Sequence, residues 1–459
     1  MKHYHFIAIG GAAMHNLAIA IQLAGNKVTG SDDEIFDPAK SHLEKYGLLP
    51  EKIGWFPENI TKEIDTVILG MHARKDNHEL LKAQELGLKI NSYPEFLYQQ
   101  SKEKIRVVIG GSHGKTTTTA MILHVLEKQN RKFDYMVGAQ LDGFEVMVKI
   151  SEDADVMVIE GDEYLTSPID LRPKFHVYCP TIAVINGIAW DHINVFPTFK
   201  NYIEQFRIFA DKIVPNGTLA YYNYQNDFFF PNESLKFDKG NQEIIKIAEN
   251  ARADIKKNPY SVPKYKIENG ITVILHNGKE YLLSVFGRHN LQNVAAARVV
   301  CKKLGIADEE FFTAITSFKG ASKRLELFHK TENFAVFKDF AHSPSKLKAT
   351  ISAVAEQYPE RELVACLELH TFSSLTKEFL KEYKNTMDEA DVAIVYFNPH
   401  TIAHKKLPPV TTDMVKNAFG RSDLLVFSDS KALEHHLKSL KKHQLNLLMM
   451  SSGNFDGIF

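Results

Sequence analysis

The ten residues Ile109-Gly-Gly-Ser-His-Gly-Lys-Thr-Thr-Thr118 constrain this chain more than any other stretch. They follow the apolar run Arg106-Val-Val-Ile109 and lead into Ala120-Met-Ile-Leu-His-Val-Leu126, so the order is strand, glycine-rich turn, helix. Such a turn aims backbone N–H groups at a helix N-terminus, where the dipole favours anions. Gly111, Ser112, His113, Gly114, Lys115, Thr116 and Thr117 are the expected phosphate cradle. Lys115 is placed to reach the outer phosphates and the Thr116 hydroxyl to hold Mg²⁺. Position 109 is Ile where the commonest P-loop has its first glycine, leaving Gly111-x-x-Gly114-Lys115-Thr116. A bland turn with a chance lysine is the competing reading, and the strand-to-helix context weighs against it. Nucleoside triphosphate binding is what this stretch predicts.

At 459 residues the chain exceeds one hydrophobic core, and three domains are expected. A formal net charge of −1 argues against broad nucleic-acid or membrane-surface binding. No apolar run reaches membrane-spanning length, and Met1 to Gly11 reads as a first strand rather than a signal peptide. Cys179, Cys301 and Cys366 are few, odd in number and far apart, the pattern of a reducing cytoplasm without a zinc site. A cytoplasmic protein with neither nucleic-acid nor membrane partners is expected.

The first segment, residues 1–103, begins with strand His5–Ile9, the turn Gly10-Gly11 and a helix from Met14 to Ala24. Strand Lys27–Thr29 then ends in Gly30-Ser31-Asp32, the acidic residue a Rossmann-like unit turns toward a ribose or base. Ala12 and Ala13 follow the glycines, so the dinucleotide fingerprint is weak. His72 and Arg74, after strand Asp65–Gly70, read equally as diphosphate ligands or solvated loop residues. In the second segment, 104–322, apolar strands 155–159 and 181–185 end in Glu160-Gly-Asp-Glu-Tyr164 and Asn186-Gly-Ile-Ala-Trp-Asp-His192. These ends lie beside the P-loop of a parallel sheet, which makes Glu160 and His192 candidate metal ligands. A lone histidine is more often packed or hydrogen-bonded. Asn290 and Asn293 share a helical face, although Asn290 also reads as a plain N-cap. The third segment, 323–459, alternates strand and helix again, and a helix over Leu375–Asp388 is among those expected. Gly320-Ala-Ser-Lys-Arg324 is the expected hinge. The fold class predicted is α/β in three domains around one cleft.

In this order, Gly111-Ser-His-Gly-Lys-Thr-Thr-Thr118, Glu160-Gly-Asp-Glu163, Asp191-His192, Gly287-Arg-His-Asn-Leu-Gln-Asn293, Arg324 and Asp339-Phe-Ala-His342 resemble the Mur ligases. The resemblance covers essentially the whole chain. It implies a Rossmann-like N-terminal domain for a uridine diphosphate sugar, a central ATPase domain and a C-terminal Rossmann-like acceptor domain. It also implies ATP and Mg²⁺, amide-bond formation on peptidoglycan precursors, and a monomer or weak homodimer. Lys115, His192 and Arg324 then carry catalysis, and Thr116, Glu160 and His192 hold the metal. His289, Asn290 and Asn293 match the adenine side, while Arg324 and Asp339 meet phosphate and ribose. Gly10, Gly11, Met14, Ser31, Asp32, His72, Arg74, His342 and His370 fall to the substrates.

Within the family, Gly10-Gly11-x-x-Met14 and Gly30-Ser31-Asp32 resemble the members that use UDP-N-acetylmuramate. One of these adds L-alanine. The other, in peptidoglycan recycling, adds the tripeptide L-alanyl-γ-D-glutamyl-meso-diaminopimelate. Gly143-Phe-Glu-Val146, Ile159-Glu-Gly-Asp-Glu-Tyr164, Tyr178-Cys-Pro180, Asp191-His-Ile-Asn-Val-Phe196 and Arg324-Leu-Glu326 are more similar to the tripeptide-adding member. UDP-N-acetylmuramate and the murein tripeptide are therefore the expected partners. An L-alanine ligase, a non-catalytic nucleotide-dependent binding protein and a nicotinamide oxidoreductase using the N-terminal sheet are the alternatives, the last of which leaves the P-loop without a purpose.

The chain departs from the family in four places. Asn-x-Glu before the Asp-His pair reads Gly187-Ile188-Ala189, with Asn186 one place earlier. The paired Asp and paired His become Lys338-Asp339 and His342-Ser343. Glu368-Leu-His-Thr-Phe-Ser-Ser374 lacks the arginine that usually clamps an acceptor carboxylate, leaving His370, Ser373, Ser374 and Lys377 as candidates. The lysine carbamylated in other members has no evident counterpart after His192.

Overall fold

Alternate residues of the run ahead of the glycine turn are apolar toward both sides, and this run becomes the fourth strand, Ile105–Gly110, of a seven-stranded sheet. The computed structural model describes residues 1–141, 143–227, 239–321, 324–441 and 443–458. Across this sheet the order is Lys256–Tyr260, Thr218–Tyr222, Ile182–Ile185, Ile105–Gly110, Val156–Glu160, Asp134–Met136 and Val148–Lys149. All are parallel except the last, which runs antiparallel to its neighbour. Val107 and Ile109 pack with the helix Lys115–Lys128 on one face, while Val108 meets Phe175, Phe206 and Phe209 on the other. Burial on both faces is why the strands read as near-continuous apolar runs.

The N-terminal strands form a four-stranded, all-parallel sheet in the order Lys27–Ser31, His3–Ile7, Thr66–Leu69, Ile90–Ser92. Its first strand starts two residues earlier than expected. The C-terminal sheet has six strands: Glu326–Lys330, Phe334–Asp339, Leu445–Met450, Glu362–Leu369, Val392–Phe397 and Leu425–Phe427. Only Glu326–Lys330, at its edge, is antiparallel. A third motif was not anticipated: Tyr265–Glu268, Ile271–His276 and Lys279–Leu283 make a small antiparallel sheet. Asn269-Gly270 and Asn277-Gly278 join these strands with both residues at positive φ, the conformation that matches strand twist in a two-residue hairpin.

The helix expected over Leu375–Asp388 is instead broken into the short turns Ser373–Leu375, Lys377–Leu380 and Lys381–Tyr383. Leu375, Phe379, Leu380, Tyr383 and Met387 keep helical spacing and are buried, yet Thr376 (ψ 140°) and Lys384 (ψ 129°) turn extended and interrupt it. The expected hinge includes Ser322 and Lys323, which lie outside the described residues.

One apolar core runs through the N-terminal and central sheets, joining Tyr4, Phe6 and Leu17 to Ile159, Ile185 and Phe206. Arg106 ties the connecting chain to this core. Its Nε donates to the carbonyls of Tyr178 and Cys179 (both 3.0 Å), and its Nη1 donates to those of Ser101, Lys102 and Lys104 (2.9, 2.6 and 3.2 Å). With Arg106 only 5% exposed, Arg106→Leu removes the side-chain donor from these carbonyls, of which Ser101 O keeps a bond from Lys104 N (2.9 Å), and is expected to cost about 3 kcal/mol. Urea unfolding of the two proteins measures that loss, and an unchanged midpoint would contradict the role.

Candidate active site

The helix Lys115–Lys128 begins immediately after Gly114, which sits in the left-handed region at φ 76°. A side chain there is impossible for a second reason: its Cβ would lie 2.3 Å from both Asn186 Nδ2 and Asn293 Oδ1. Asn186, fully buried, is the floor of the turn. Its Nδ2 donates to Thr118 Oγ1 (2.8 Å) and Asn293 Oδ1 (2.9 Å), its Oδ1 accepts from the Tyr260 hydroxyl (2.6 Å), and its backbone carbonyl accepts from Gln292 Nε2. The departure at Gly187 also has a local cause. A Cβ on Gly187 would meet His113 Cε1 at 2.0 Å, so only glycine lets that ring cover the strand end. Ser112 completes the turn: its backbone N–H donates to Gly187 O (2.8 Å), and its Oγ accepts from Ala189 N (2.8 Å).

Lys115 leaves this cradle as part of an ion pair. Its Nζ donates to Gly111 O and to Glu163 Oε2, both at 2.6 Å. The other oxygen of Glu163 accepts from the Tyr202 hydroxyl (2.9 Å) and faces His192 Nε2 at 3.5 Å. Burial opposes the charge on Glu163, yet Lys115 and His192 hold the carboxyl well below its usual range. Burial likewise works against a charge on His192, but Glu163 and Asp191 outweigh it and raise its pKa. Glu160 is separate from this pair: it accepts from Thr116 Oγ1 (2.7 Å) and from Gly138 N (2.9 Å).

The Thr116 hydroxyl and Glu160 carboxylate are hard oxygen donors, converging at the mouth of the phosphate cradle, and they suit Mg²⁺. Among the described residues, no three His, Cys, Asp or Glu side chains gather as a metal site. Mg²⁺ commonly keeps waters and phosphate oxygens and takes one or two protein ligands, so the donor set fits. His192 faces Glu163 rather than Glu160.

In front of the P-loop opens a cavity of about 930 Å³ between the central and C-terminal sheets. His289, Asn290 and Asn293 enter it from the helix Arg288–Lys303, and Arg324, Asp339 and His342 from the C-terminal side. Asn290 is not the N-cap, a place held by Gly287; its amide instead donates back to Phe286 O at 2.9 Å. Arg324 lies over the Phe340 ring at 5.0 Å, and Asp339 Oδ2 accepts from Thr350 Oγ1 at 2.6 Å. His342 Nδ1 donates to Phe340 O (2.8 Å), and burial, with Lys346 nearby, pushes its pKa down to about 4.

Three contributors escaped the sequence reading. Glu163 was visible in the acidic run, but its pairing with Lys115 spans 48 residues and leaves no local trace. Asp191 faces the cavity, 3.9 Å from Lys346 Nζ. Lys346 itself did carry a signal, because a cation in the first turn of a helix opposes the helix dipole.

The remaining sequence candidates lie outside this lining. Asp32 is buried and accepts from Gly10 N at 2.7 Å; burial, resisted by that bond, raises its carboxyl to about 6. Gly11 precedes the helix Ala12–Leu23, in which Met14 is buried, and buried Ser31 Oγ has no hydrogen-bond partner among the described residues. His72 and Arg74 are exposed. His370 sits at the end of a C-terminal strand with its Nδ1 3.6 Å from Glu368 Oε1, and Ser374 turns inward onto Thr371.

A P-loop, its paired lysine and flanking α/β sheets define an enzyme that uses a nucleoside triphosphate. Models of the Mur ligase family, catalytic domain (residues 3–104), of the Mur ligase middle domain (109–301) and of the Mur ligase, glutamate ligase domain (323–453) match the sequence. The chain belongs to the Mur ligase family, whose members are ATP-dependent amide-bond ligases. It is 33% identical to a UDP-N-acetylmuramate–L-alanine ligase of Caldicellulosiruptor bescii, over 86% of this chain and 83% of that protein. It is 25% identical, over 100% of this chain and 98% of the relative, to a UDP-N-acetylmuramate–L-alanyl-γ-D-glutamyl-meso-2,6-diaminoheptandioate ligase of Haemophilus influenzae. Its fold is similar to that of a UDP-N-acetylmuramate-alanine ligase from Thermotoga maritima, with a TM-score of 0.67, 21% identity and coverage of 100% of this chain and 97% of that one. No helix among the described residues is long and apolar enough to cross a membrane.

Lys115→Met strands the buried Glu163 carboxylate, so turnover is expected to vanish and stability to fall by about 3 kcal/mol. Adding Glu163→Gln should recover most of the stability and none of the turnover; calorimetry beside an ADP-release assay separates the two effects. His113 gives a second expectation. Burial pushes its pKa down to about 4, with Lys346 and Lys115 adding to the effect. Below pH ~6.5 the unfolded chain takes up a proton that the folded one refuses, so this contribution to stability is lost as pH falls toward 4. Melting temperatures of His113→Phe and the parent protein should therefore differ in slope between pH 6.5 and 4 and run parallel above pH 7; parallel curves throughout would count against a neutral buried ring.

Proposed function

We propose that this ligase joins UDP-N-acetylmuramate to L-alanyl-γ-D-glutamyl-meso-diaminopimelate, as in peptidoglycan recycling in the cytoplasm. One observation carries the choice of acceptor. Two of the stretches in which the sequence is more similar to the tripeptide-adding enzymes, 159–164 and 191–196, meet beside Glu163. Tyr164 packs edge-on against His192 (5.4 Å between centroids), its hydroxyl accepts from Asn194 Nδ2 (3.4 Å), and Lys174 lies over its ring at 5.8 Å. Residues grouped this way form one physical unit next to the reacting groups, so their likeness to one subfamily is a single coherent feature. The full-length likeness to the Haemophilus enzyme supports the same choice. An L-alanine acceptor is the second reading, favoured by the higher identity to the Caldicellulosiruptor enzyme.

In this reading the lactyl carboxylate of the sugar attacks the γ-phosphorus of ATP, ADP leaves, and the peptide amine displaces phosphate from the acyl phosphate. Two anions must approach in the first step, so charge neutralisation and positioning carry most of the rate. Lys115 and the N–H groups of the turn hold the β- and γ-phosphates. Thr116 and Glu160 would hold Mg²⁺, with His192 as the further candidate ligand, and the ion would supply additional positive charge. His289, Asn290 and Asn293 bound the adenine side, while Arg324 and Asp339 reach phosphate and ribose. Gly10, Gly11, Met14, Ser31 and Asp32 take the uridine sugar with His72 and Arg74, and His342 and His370 face the acceptor. The same reading divides the chain into 1–103, 104–322 and 323–459.

Phosphate release from ATP, measured with UDP-N-acetylmuramate and either acceptor, tests the proposal. Release with the tripeptide and not with L-alanine is expected. Release with L-alanine alone would assign the chain to the second reading, and no release with either would leave a nucleotide-dependent binding protein.

A further inference from the structure

Lys346 is a cation in an unfavourable place. It lies in the first turn of the helix Pro344–Gln357, where the dipole disfavours positive charge, and its side chain is only 19% exposed. Lys115 and Arg324 are close enough to act against its charge. Its sole ion pair among the described residues is the 3.9 Å contact with Asp191, beyond hydrogen-bond reach. Three other cations of the cavity are engaged more closely: Lys115 by Glu163, Arg288 by Asp227, and Arg324 by the face of Phe340.

The far end of this helix is fixed. Gln357 Oε1 accepts from Thr272 Oγ1 (2.9 Å), its Nε2 donates to Gly270 O (2.7 Å), and Tyr265 donates to Glu356 (2.5 Å). Ala353 packs so closely on Gly287 that a Cβ there would come within 2.4 Å of it. Packing on the central unit therefore places Lys346 at the P-loop side of the cavity, together with Lys115, Glu163 and His192.

We propose that Lys346 Nζ is a ligand of the transferring phosphoryl group, contacting the γ-phosphate of ATP from the side opposite Lys115. The inference rests on the nucleotide site described above and deepens it. A γ-phosphoryl group spreads its charge over three equatorial oxygens, and a lysine ammonium satisfies one of them as a mobile point charge. Bound phosphate would bring Lys346 the hydrogen bonds that Asp191 does not reach. Asp191 then holds the ammonium in place between turnovers.

Calorimetric titration of the full chain with AMP-PNP and with ADP, both in Mg²⁺ buffer, tests this. In Lys346→Met, AMP-PNP affinity should fall about tenfold, the value of one charge-assisted bond, while ADP affinity stays within about twofold. Lys346→Arg, which keeps the charge, should retain most of the preference for AMP-PNP and guards against a methionine variant that fails to fold. An interdomain latch between Lys346 and Asp191 would weaken both nucleotides equally or neither, and either result overturns the proposal. Neither titration contains a sugar donor or an acceptor, so an error in substrate assignment leaves the readout intact. Failure of the parent protein to bind either nucleotide would overturn this inference and the nucleotide site together.

Discussion

The structure depends on a contact between backbone and one side-chain amide. Asn186 lies directly beneath Gly114, at a distance that no other residue at position 114 would tolerate. Through one amide group it joins the end of a central strand to the P-loop helix, to Asn293 on the helix Arg288–Lys303 and to Tyr260 at the sheet edge. Each polar atom is buried and satisfied, so the network specifies one arrangement rather than a family of them. The turn geometry, the direction of Lys115 and the line of the helix Arg288–Lys303 all follow from it.

Above that floor the site is organised by charge. Glu160 and Glu163, three residues apart at one strand end, have different partners: a threonine hydroxyl and backbone amide for the first, a lysine, tyrosine and histidine for the second. Neighbouring carboxylates in unlike surroundings can do unlike work, one suited to a hard cation and the other to keeping Lys115 oriented. The C-terminal unit adds Arg324, Asp339, His342 and Lys346 to the same cavity, so the P-loop alone is an incomplete surface.

Local signals in the sequence account for much of this. The P-loop, the apolar strands around it and the α/β class are visible because periodicity and glycine placement act over a few residues. The hairpins at Asn269-Gly270 and Asn277-Gly278 carried an equally local signal that went unused. The segment after Ser374 misled for a physical reason: its apolar spacing is helical, but Thr376 and Lys384 adopt extended backbone between buried anchors. Pairings such as Lys115–Glu163 and Lys346–Asp191 are of another kind. They depend on how separate strands and units come together, and no window of sequence contains both partners. The glycine at 187 reads as a loss in the sequence and as room for His113 in the structure.

The bond between Lys115 and Glu163 also has a consequence for which anions can enter. Lys115 already holds a carboxylate and the Gly111 carbonyl, so any newcomer must displace contacts at 2.6 Å before it gains its own. A free phosphate or sulfate ion offers little beyond what it displaces. A nucleotide has a base, a ribose and several phosphates with which to offset that exchange. The site thus discriminates by size of ligand as well as by charge, and abundant small anions of the cell are poor competitors for it.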